Sequence, residues 1–146
     1  MATFSRRAVL EWNGDVMAGA GEVTAATAAF AVPVTFPSTT GEAPGKTTPE
    51  ELLAASHATC FGIGLRSLVA RRGGRARRVT VTATITAEKG PGGIRIQSSH
   101  LNGEIEGLEA IDPTQLAEIA RDTRDRCTIS IALAESVAIT HDVVAR

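Results

Sequence analysis

The alternation of hydrophobic and polar positions predicts strands towards both ends of the chain, with helices inserted between them. Residues 2–12 and 15–25 alternate weakly on either side of the sequence NGD, a tight-turn signal that predicts an opening β-hairpin. A third short strand is predicted over residues 28–34. Residues 35–48 are rich in proline, glycine and threonine and are predicted to form a loop.

That loop ends at an explicit signal for the start of a helix. Thr48 suits the N-cap, Pro49 the first helical position, and Glu51 the capping-box position, where its side chain can return to the N–H of the cap. Gly73 and Gly74 are expected to end the helix. Because residues 52–70 are apolar on nearly every face, we predict a long central helix buried on most sides, either by its own sheet or by a second subunit.

The second half of the chain returns to strand patterns. Residues 78–90 alternate strictly and residues 92–107 alternate in part, which predicts a second antiparallel hairpin around the sequence KGPGG. Asp112 and Pro113 predict the start of a second helix, residues 128–136 are ambiguous between helix and strand, and residues 136–144 predict a closing strand. We therefore predict an α+β fold with antiparallel sheets.

Length and charge narrow the class of protein. A chain of 146 residues is expected to form one domain over residues 1–146, large enough to fold without disulfides or a structural metal. Its start resembles no signal peptide and no stretch approaches a membrane span, so we expect a cytoplasmic protein with reduced thiols and no membrane partner. The net charge of −1 argues against nucleic-acid binding. The six arginines between residues 66 and 78 are expected to form a solvated helix end and turn.

Few residue types are rare enough in this sequence to indicate a catalytic or metal-binding site. Cys60 is either a small buried hydrophobe or a reactive thiolate, and a thiolate needs a nearby cation or hydrogen-bond donors. Cys127 is either a buried residue at an element boundary or a thiolate favoured by a helix start; a structural disulfide between the two cysteines is a further alternative. Their separation and the scattered histidines give no zinc spacing, so no metal is expected.

His57 and Glu50 are the remaining candidates. His57 precedes Cys60 by three residues on the predicted helix, which allows either a Cys–His hydrolase pair or a hydrogen-bonded packing residue, and we favour packing. The capping box already accounts for Glu51, whereas Glu50 is free to orient a cation. His100 and His141 lie in predicted strands and receive no role.

The stretch GKTTPEELLAASHATCF, with Cys60 ten residues after Glu50, and the second cysteine in CTISIAL resemble the osmotically inducible and organic hydroperoxide resistance family (OsmC/Ohr). The resemblance runs from residue 10 to the closing strand and lies nearer to the osmotically inducible branch. It implies an intertwined homodimer and a thiol peroxidase that reduces organic hydroperoxides without metal, haem or flavin, in oxidative or osmotic stress defence.

Carried over by the resemblance, Cys60 is the peroxidatic cysteine, and Cys127 the resolving cysteine that forms a disulfide with it. A dithiol then reduces the disulfide, and a lipoylated protein has this role in part of the family. Glu50 matches the family carboxylate that holds an activating arginine. The sequence departs from the family here, because Thr39 stands where that arginine is expected. Lys46, Arg6 or Arg7 are candidate replacements, and without one the alternative is a ligand-binding dimer with weak or lost peroxidase activity.

Overall fold

A computed structural model describes residues 1–36 and 45–146, which fall into two compact units, Met1–Leu52 (unit 1) and Leu53–Arg146 (unit 2). The sequence PSTTGE, where the family arginine was expected near Thr39, lies outside the described residues. Single-domain organisation over residues 1–146 stays a prediction.

Unit 1 contains an antiparallel sheet of three strands, β1 (Ala8–Asn13), β2 (Ala20–Ala25) and β3 (Ala31–Val34), in that order. The predicted opening hairpin and third strand are therefore confirmed. The β1–β2 connection is longer than a two-residue turn, and the Asp15 carboxylate stabilises it by accepting hydrogen bonds from the backbone N–H of Met17 and Ala18.

Helix α1 (Pro49–Arg71) begins at the predicted position. The Thr48 hydroxyl accepts a hydrogen bond from the Glu51 backbone N–H at 3.2 Å, as expected for an N-cap. The second half of the predicted capping box is wrong, because the Glu51 carboxylate accepts instead from the Thr47 hydroxyl at 2.9 Å. This hydroxyl is available because Thr47 is held by backbone hydrogen bonds to residues 33 and 35 beside the helix start.

Within unit 2, α1 buries one stripe of side chains in the core and leaves other positions exposed. The core contains residues from α1, the second sheet and the following helix: Phe61, Leu65, Val69, Leu101, Ile105, Leu116, Ile119 and Cys127. By contrast, Ile63 on α1 is 67% exposed. By length and composition alone, α1 is long and apolar enough to cross a membrane, so the expectation that no stretch approaches a span is wrong. Its buried stripe is also what the core helix of a globular protein shows.

The second sheet lies in unit 2 and has the order β4 (Arg78–Gly90), β5 (Gly93–Glu106) and β6 (Ala138–Ala145). β4 and β5 form the predicted antiparallel hairpin. The prediction of purely antiparallel sheets is wrong for β6, which pairs parallel with β5. Residues 107–137 supply the long crossover that a parallel pair requires.

Two helices occupy that crossover. α2 (Pro113–Arg126) starts with a complete capping box, in which Asp112 accepts from the Gln115 backbone N–H and Gln115 accepts from the Asp112 N–H. The ambiguous stretch after Cys127 is a short helix, α3 (Thr128–Leu133). The α+β class is thus confirmed, with one helix more than predicted.

The arginine cluster at the end of α1 is largely paired with carboxylates on the surface of unit 2. Arg72 contacts Glu118 and Asp122, and Arg75 contacts Glu109. Arg77 and Arg78 share Glu106. These pairs are exposed and so contribute little stability, but they offset much of the positive charge that the sequence concentrates there.

Candidate functional site

The structure brings Cys60 and Cys127 together in unit 2, although they lie far apart in sequence. Cys60 lies on α1 and is partly buried, whereas Cys127 lies between α2 and α3 and is 5% exposed. Both are free thiols, and they lie close enough for Cys127 to raise the pKa of Cys60. The fold thus brings together a thiol on α1 and a thiol at the junction of α2 and α3.

The start of α3 supplies donors to the Cys60 sulfur. Burial raises the pKa of the Cys60 thiol, and the neighbouring Cys127 raises this pKa further. Hydrogen bonds from the backbone N–H groups of Ile129 and Thr128 act in the opposite direction and lower the pKa. The net direction is upward, so the folded chain favours the neutral thiol at Cys60.

Unit 2 provides no cation to Cys60. Of residues 53–146, none with a positive charge contributes to the pKa of this thiol. Arg66, the nearest arginine along α1, donates to the carbonyl oxygen of Ala76 at 2.6 Å. Arg124 pairs with Asp125 at 2.7 Å. The only groups of unit 2 that favour the thiolate are therefore the two backbone N–H groups of α3.

His57 is fully buried on α1 and is hydrogen-bonded through both ring nitrogens. Nδ1 lies 2.7 Å from the Ser99 hydroxyl and Nε2 lies 2.8 Å from the Ser130 hydroxyl. Burial lowers the pKa of His57, so the ring is neutral near pH 7 and donates to one hydroxyl while accepting from the other. The favoured interpretation as a hydrogen-bonded packing residue is confirmed. With both nitrogens occupied, His57 has none left to act as a base for Cys60.

The sequence analysis missed Ser99 and Ser130. Ser99 lies on β5 and is 0% exposed, and Ser130 lies on α3 and is 3% exposed. Serine is common on surfaces, so neither residue stands out in the sequence. The spacing from Cys127 to Ser130 equals that from His57 to Cys60, a signal that becomes readable only once residues 128–133 are known to be helical.

Glu50 lies in the first turn of α1 within unit 1 and is half-buried. Among the described residues of that unit it forms no ion pair. Neither does Lys46 or Arg7, while Arg6 donates to the Ser5 carbonyl and stacks on Phe4. The structure thus brings Cys60 and Cys127 together, and the described residues of unit 1 give Glu50 no cation.

The other histidines lie on the second sheet. His100 on β5 hydrogen-bonds to the Thr140 hydroxyl at 2.7 Å. His141 on β6 has a buried Nδ1 without a partner in the described part of the chain, and burial, with a smaller contribution from Arg124, lowers its pKa. Across residues 1–36 and 45–146, no three His, Cys, Asp or Glu side chains are grouped to hold a metal ion.

These observations define an α+β protein in which a cysteine on a long helix meets a second cysteine at the start of a short one. Residues 40–142 match the profile of the family described as OsmC-like protein, and the chain belongs to this family.

Its relatives carry several names. The chain is 25% identical to Peroxiredoxin OsmC of Escherichia coli (strain K12), over 97% of this chain and 98% of the relative. An organic hydroperoxide resistance protein from Elizabethkingia anophelis has a similar structure, with a TM-score of 0.80, 20% identity and 99% of each chain covered.

An OsmC-like protein of unknown function from Vibrio cholerae gives a TM-score of 0.79 at 13% identity, covering 97% of this chain and 100% of that one. At such identities the structures establish the shared fold, and the activity must be argued from the site.

Proposed function

We propose that the protein is a thiol-dependent peroxidase that reduces organic hydroperoxides to alcohols. The Cys60 thiolate attacks the outer oxygen of the O–O bond, which breaks to give the Cys60 sulfenic acid and an alkoxide that takes up a proton. The Cys127 thiol then condenses with the sulfenic acid, forming a Cys60–Cys127 disulfide and releasing water. A dithiol reductant, such as a lipoylated protein, restores both thiols by disulfide exchange.

The single observation that carries this proposal is the meeting of the two thiols at the start of α3. A buried cysteine that acts only as packing needs no second thiol and no N–H donors at its sulfur, whereas Cys60 has Cys127 and the N–H groups of Thr128 and Ile129. Family membership and the names of the relatives support the same chemistry. We place this activity in the cytoplasm, in oxidative or osmotic stress defence.

The first test is the stoichiometry of oxidation. One equivalent of cumene hydroperoxide, added to reduced protein, is expected to yield one equivalent of cumyl alcohol and one disulfide joining Cys60 to Cys127 in each chain. Intact mass after alkylation, followed by peptide mapping, measures the disulfide, and chromatography measures the alcohol. Recovery of both alkylated thiols with unreacted peroxide would contradict the proposal.

We further propose that the active form is the intertwined homodimer of the family. Each unit, taken separately, exposes large apolar side chains: Phe4, Val9 and Leu10 in unit 1, and Ile63 and Ile131 in unit 2. A second copy of the chain would cover such surfaces. Sedimentation equilibrium is expected to give twice the chain mass of 15.2 kDa, and Ile63→Lys is expected to shift the protein towards the monomer.

Within this proposal Glu50 is a catalytic-site residue that orients a cation towards Cys60. The cation is Lys46, Arg6 or Arg7, from the same chain or from the partner subunit, in place of the arginine expected near Thr39. A lysine would supply charge without the planar, bidentate geometry of arginine, which lowers the expected rate.

A second candidate function is a ligand-binding or stress-response dimer whose peroxidase activity is weak or lost. The raised pKa of Cys60, which follows from burial without a cation in unit 2, favours this candidate. The oxidation assay separates the two when it is repeated across pH. A weak peroxidase would react slowly at pH 7 and faster with rising pH up to the raised pKa, whereas a peroxidase activated by a cation would already react fast at pH 7.

A further inference from the structure

Two pairs of side chains connect α1 to Cys127 and to the short helix α3 that follows it. On α1, His57 and Cys60 are three residues apart and lie on one face; after α2, Cys127 and Ser130 are also three residues apart. His57 pairs with Ser130, and Cys60 pairs with Cys127. The pairing is antiparallel, so the His57–Ser130 bridge lies one helical turn from the thiol pair.

The His57–Ser130 bridge has a fixed geometry. Both residues are buried, at 0% and 3% exposure, and a buried polar group that loses its partner is costly. The imidazole ring is planar and its other nitrogen is already bonded to Ser99 on β5. A displacement of α3 away from α1 would leave a buried hydroxyl and a buried ring nitrogen unpaired.

The first turn of α3 is held by contacts from outside the helix, among them the core packing of Cys127 and Ile129. α3 is six residues long, and its N-cap, Cys127, makes no side-chain capping hydrogen bond. That first turn nevertheless carries the Thr128 and Ile129 N–H groups that reach the Cys60 sulfur. The direction of these donors therefore depends on contacts from outside α3, and the bridge from Ser130 is a buried polar contact of this kind.

We propose that His57 is a positioning residue for the thiol pair: through Ser130 it holds the first turn of α3 so that the Thr128 and Ile129 N–H groups face Cys60 and Cys127 stays within reach of it. His57 itself touches neither the substrate nor the reacting atoms. The inference rests on the proposed function for its purpose, but its geometry can be tested without any peroxide.

The test compares Ser130→Thr with Ser130→Val, two side chains of nearly equal shape of which only threonine retains the hydroxyl. Ser130 lines a pocket of about 410 Å³ together with Ile131, Ala134, Val137 and Ile139 among others. Each variant is made in a Cys127→Ser background, so that Cys60 is the one thiol that reacts.

The measurement is the rate of Cys60 alkylation by iodoacetamide across pH. Ser130→Val is expected to move the midpoint upward by about one pH unit, because misdirected N–H donors no longer favour the thiolate. Ser130→Thr is expected to keep the parental midpoint. Within unit 2, Cys127 is the only titratable side chain that contributes to the Cys60 pKa. Once Cys127 is replaced, the contributions from unit 2 to the pH dependence of alkylation are burial and the backbone N–H donors.

The control variant Ser99→Ala separates a positioning role of the His57–Ser130 contact from a general loss of stability. Ser99→Ala removes the other hydrogen bond of His57 and is expected to cost similar stability, yet to shift the alkylation midpoint less, since it leaves the link from α1 to α3 in place. In the protein with both cysteines, disulfide closure by diamide is expected to slow about tenfold in Ser130→Val.

Identical midpoints and closure rates for Ser130→Val and Ser130→Thr would overturn the inference. If neither variant folds, Ser130→Ala, which adds no atoms, provides the same comparison with the parent. A parent protein that fails to reduce cumene hydroperoxide, combined with a shifted midpoint in Ser130→Val, would reject the proposed function and leave the positioning role standing.

Discussion

Replacing Cys60 with serine is expected to reduce the consumption of an organic hydroperoxide to the rate measured without protein. The reaction needs a sulfur anion that can accept oxygen, and a serine hydroxyl is neither ionised near pH 7 nor oxidised by peroxides. Peroxide remaining after mixing with protein and excess dithiol measures the rate. Turnover by Cys60→Ser at the parental rate would show that the chemistry lies elsewhere.

Cys127→Ser is the matched control, since it removes the other thiol of the pair. Without added dithiol, this variant is expected to reduce one equivalent of peroxide per chain and then to stop as a Cys60 sulfenic acid, because the chain has no second thiol to condense with it. Labelling with dimedone and intact mass would detect that product. If Cys60→Ser and Cys127→Ser both failed to consume the first equivalent of peroxide, the separate roles of the two cysteines would be contradicted.

Replacing His57 with leucine is expected to lower the free energy of unfolding by about 2–4 kcal/mol. Leucine fills much of the same volume, but it leaves the hydroxyls of Ser99 and Ser130 buried without their partner. Urea unfolding followed by circular dichroism measures the change, and an unaltered slope with denaturant would show that compactness is unchanged.

The origin of this loss can be isolated by also replacing both serines with alanine. Removing a buried polar group together with its partners costs much less than removing it alone, so the triple variant is expected to regain at least about half of the lost stability. A triple variant less stable than His57→Leu would instead assign the loss to packing of the ring.

The parent protein is expected to lose stability as the pH falls below about 6.5. Burial lowers the pKa of His57 in the folded state, so the unfolded chain binds a proton at this residue more readily than the folded chain does.

Local signals in the sequence predicted most of the elements of the fold. Asp112 and Pro113 identify the start of α2, and the strict alternation over residues 78–90 identifies β4, because caps and periodicity act over a few residues. The direction of β6 depends instead on how residues 107–137 cross the sheet, and no local pattern encodes that path. The helical state of residues 128–133 likewise depends on packing, since their alternating isoleucines suit either element.

The candidate site was predictable only in part. Cys60 and Cys127 were paired through family resemblance, because no spacing rule brings together a cysteine on one helix and a cysteine between two others. The partners of His57 could not be named, since Ser99 and Ser130 reach it only through the arrangement of β5 and α3 around α1. The cation expected to accompany Glu50 remains a prediction.

The parallel pairing of β6 with β5 has a consequence for biosynthesis. Every ladder contact of β6 reaches back across the whole α2–α3 crossover. β5 is synthesised well before β6, so the nascent chain leaves one edge of β5 uncovered until residues 138–145 emerge. We therefore expect unit 2 to complete its folding only once β6 has been synthesised, and chains truncated before Ala138 to depend on chaperones.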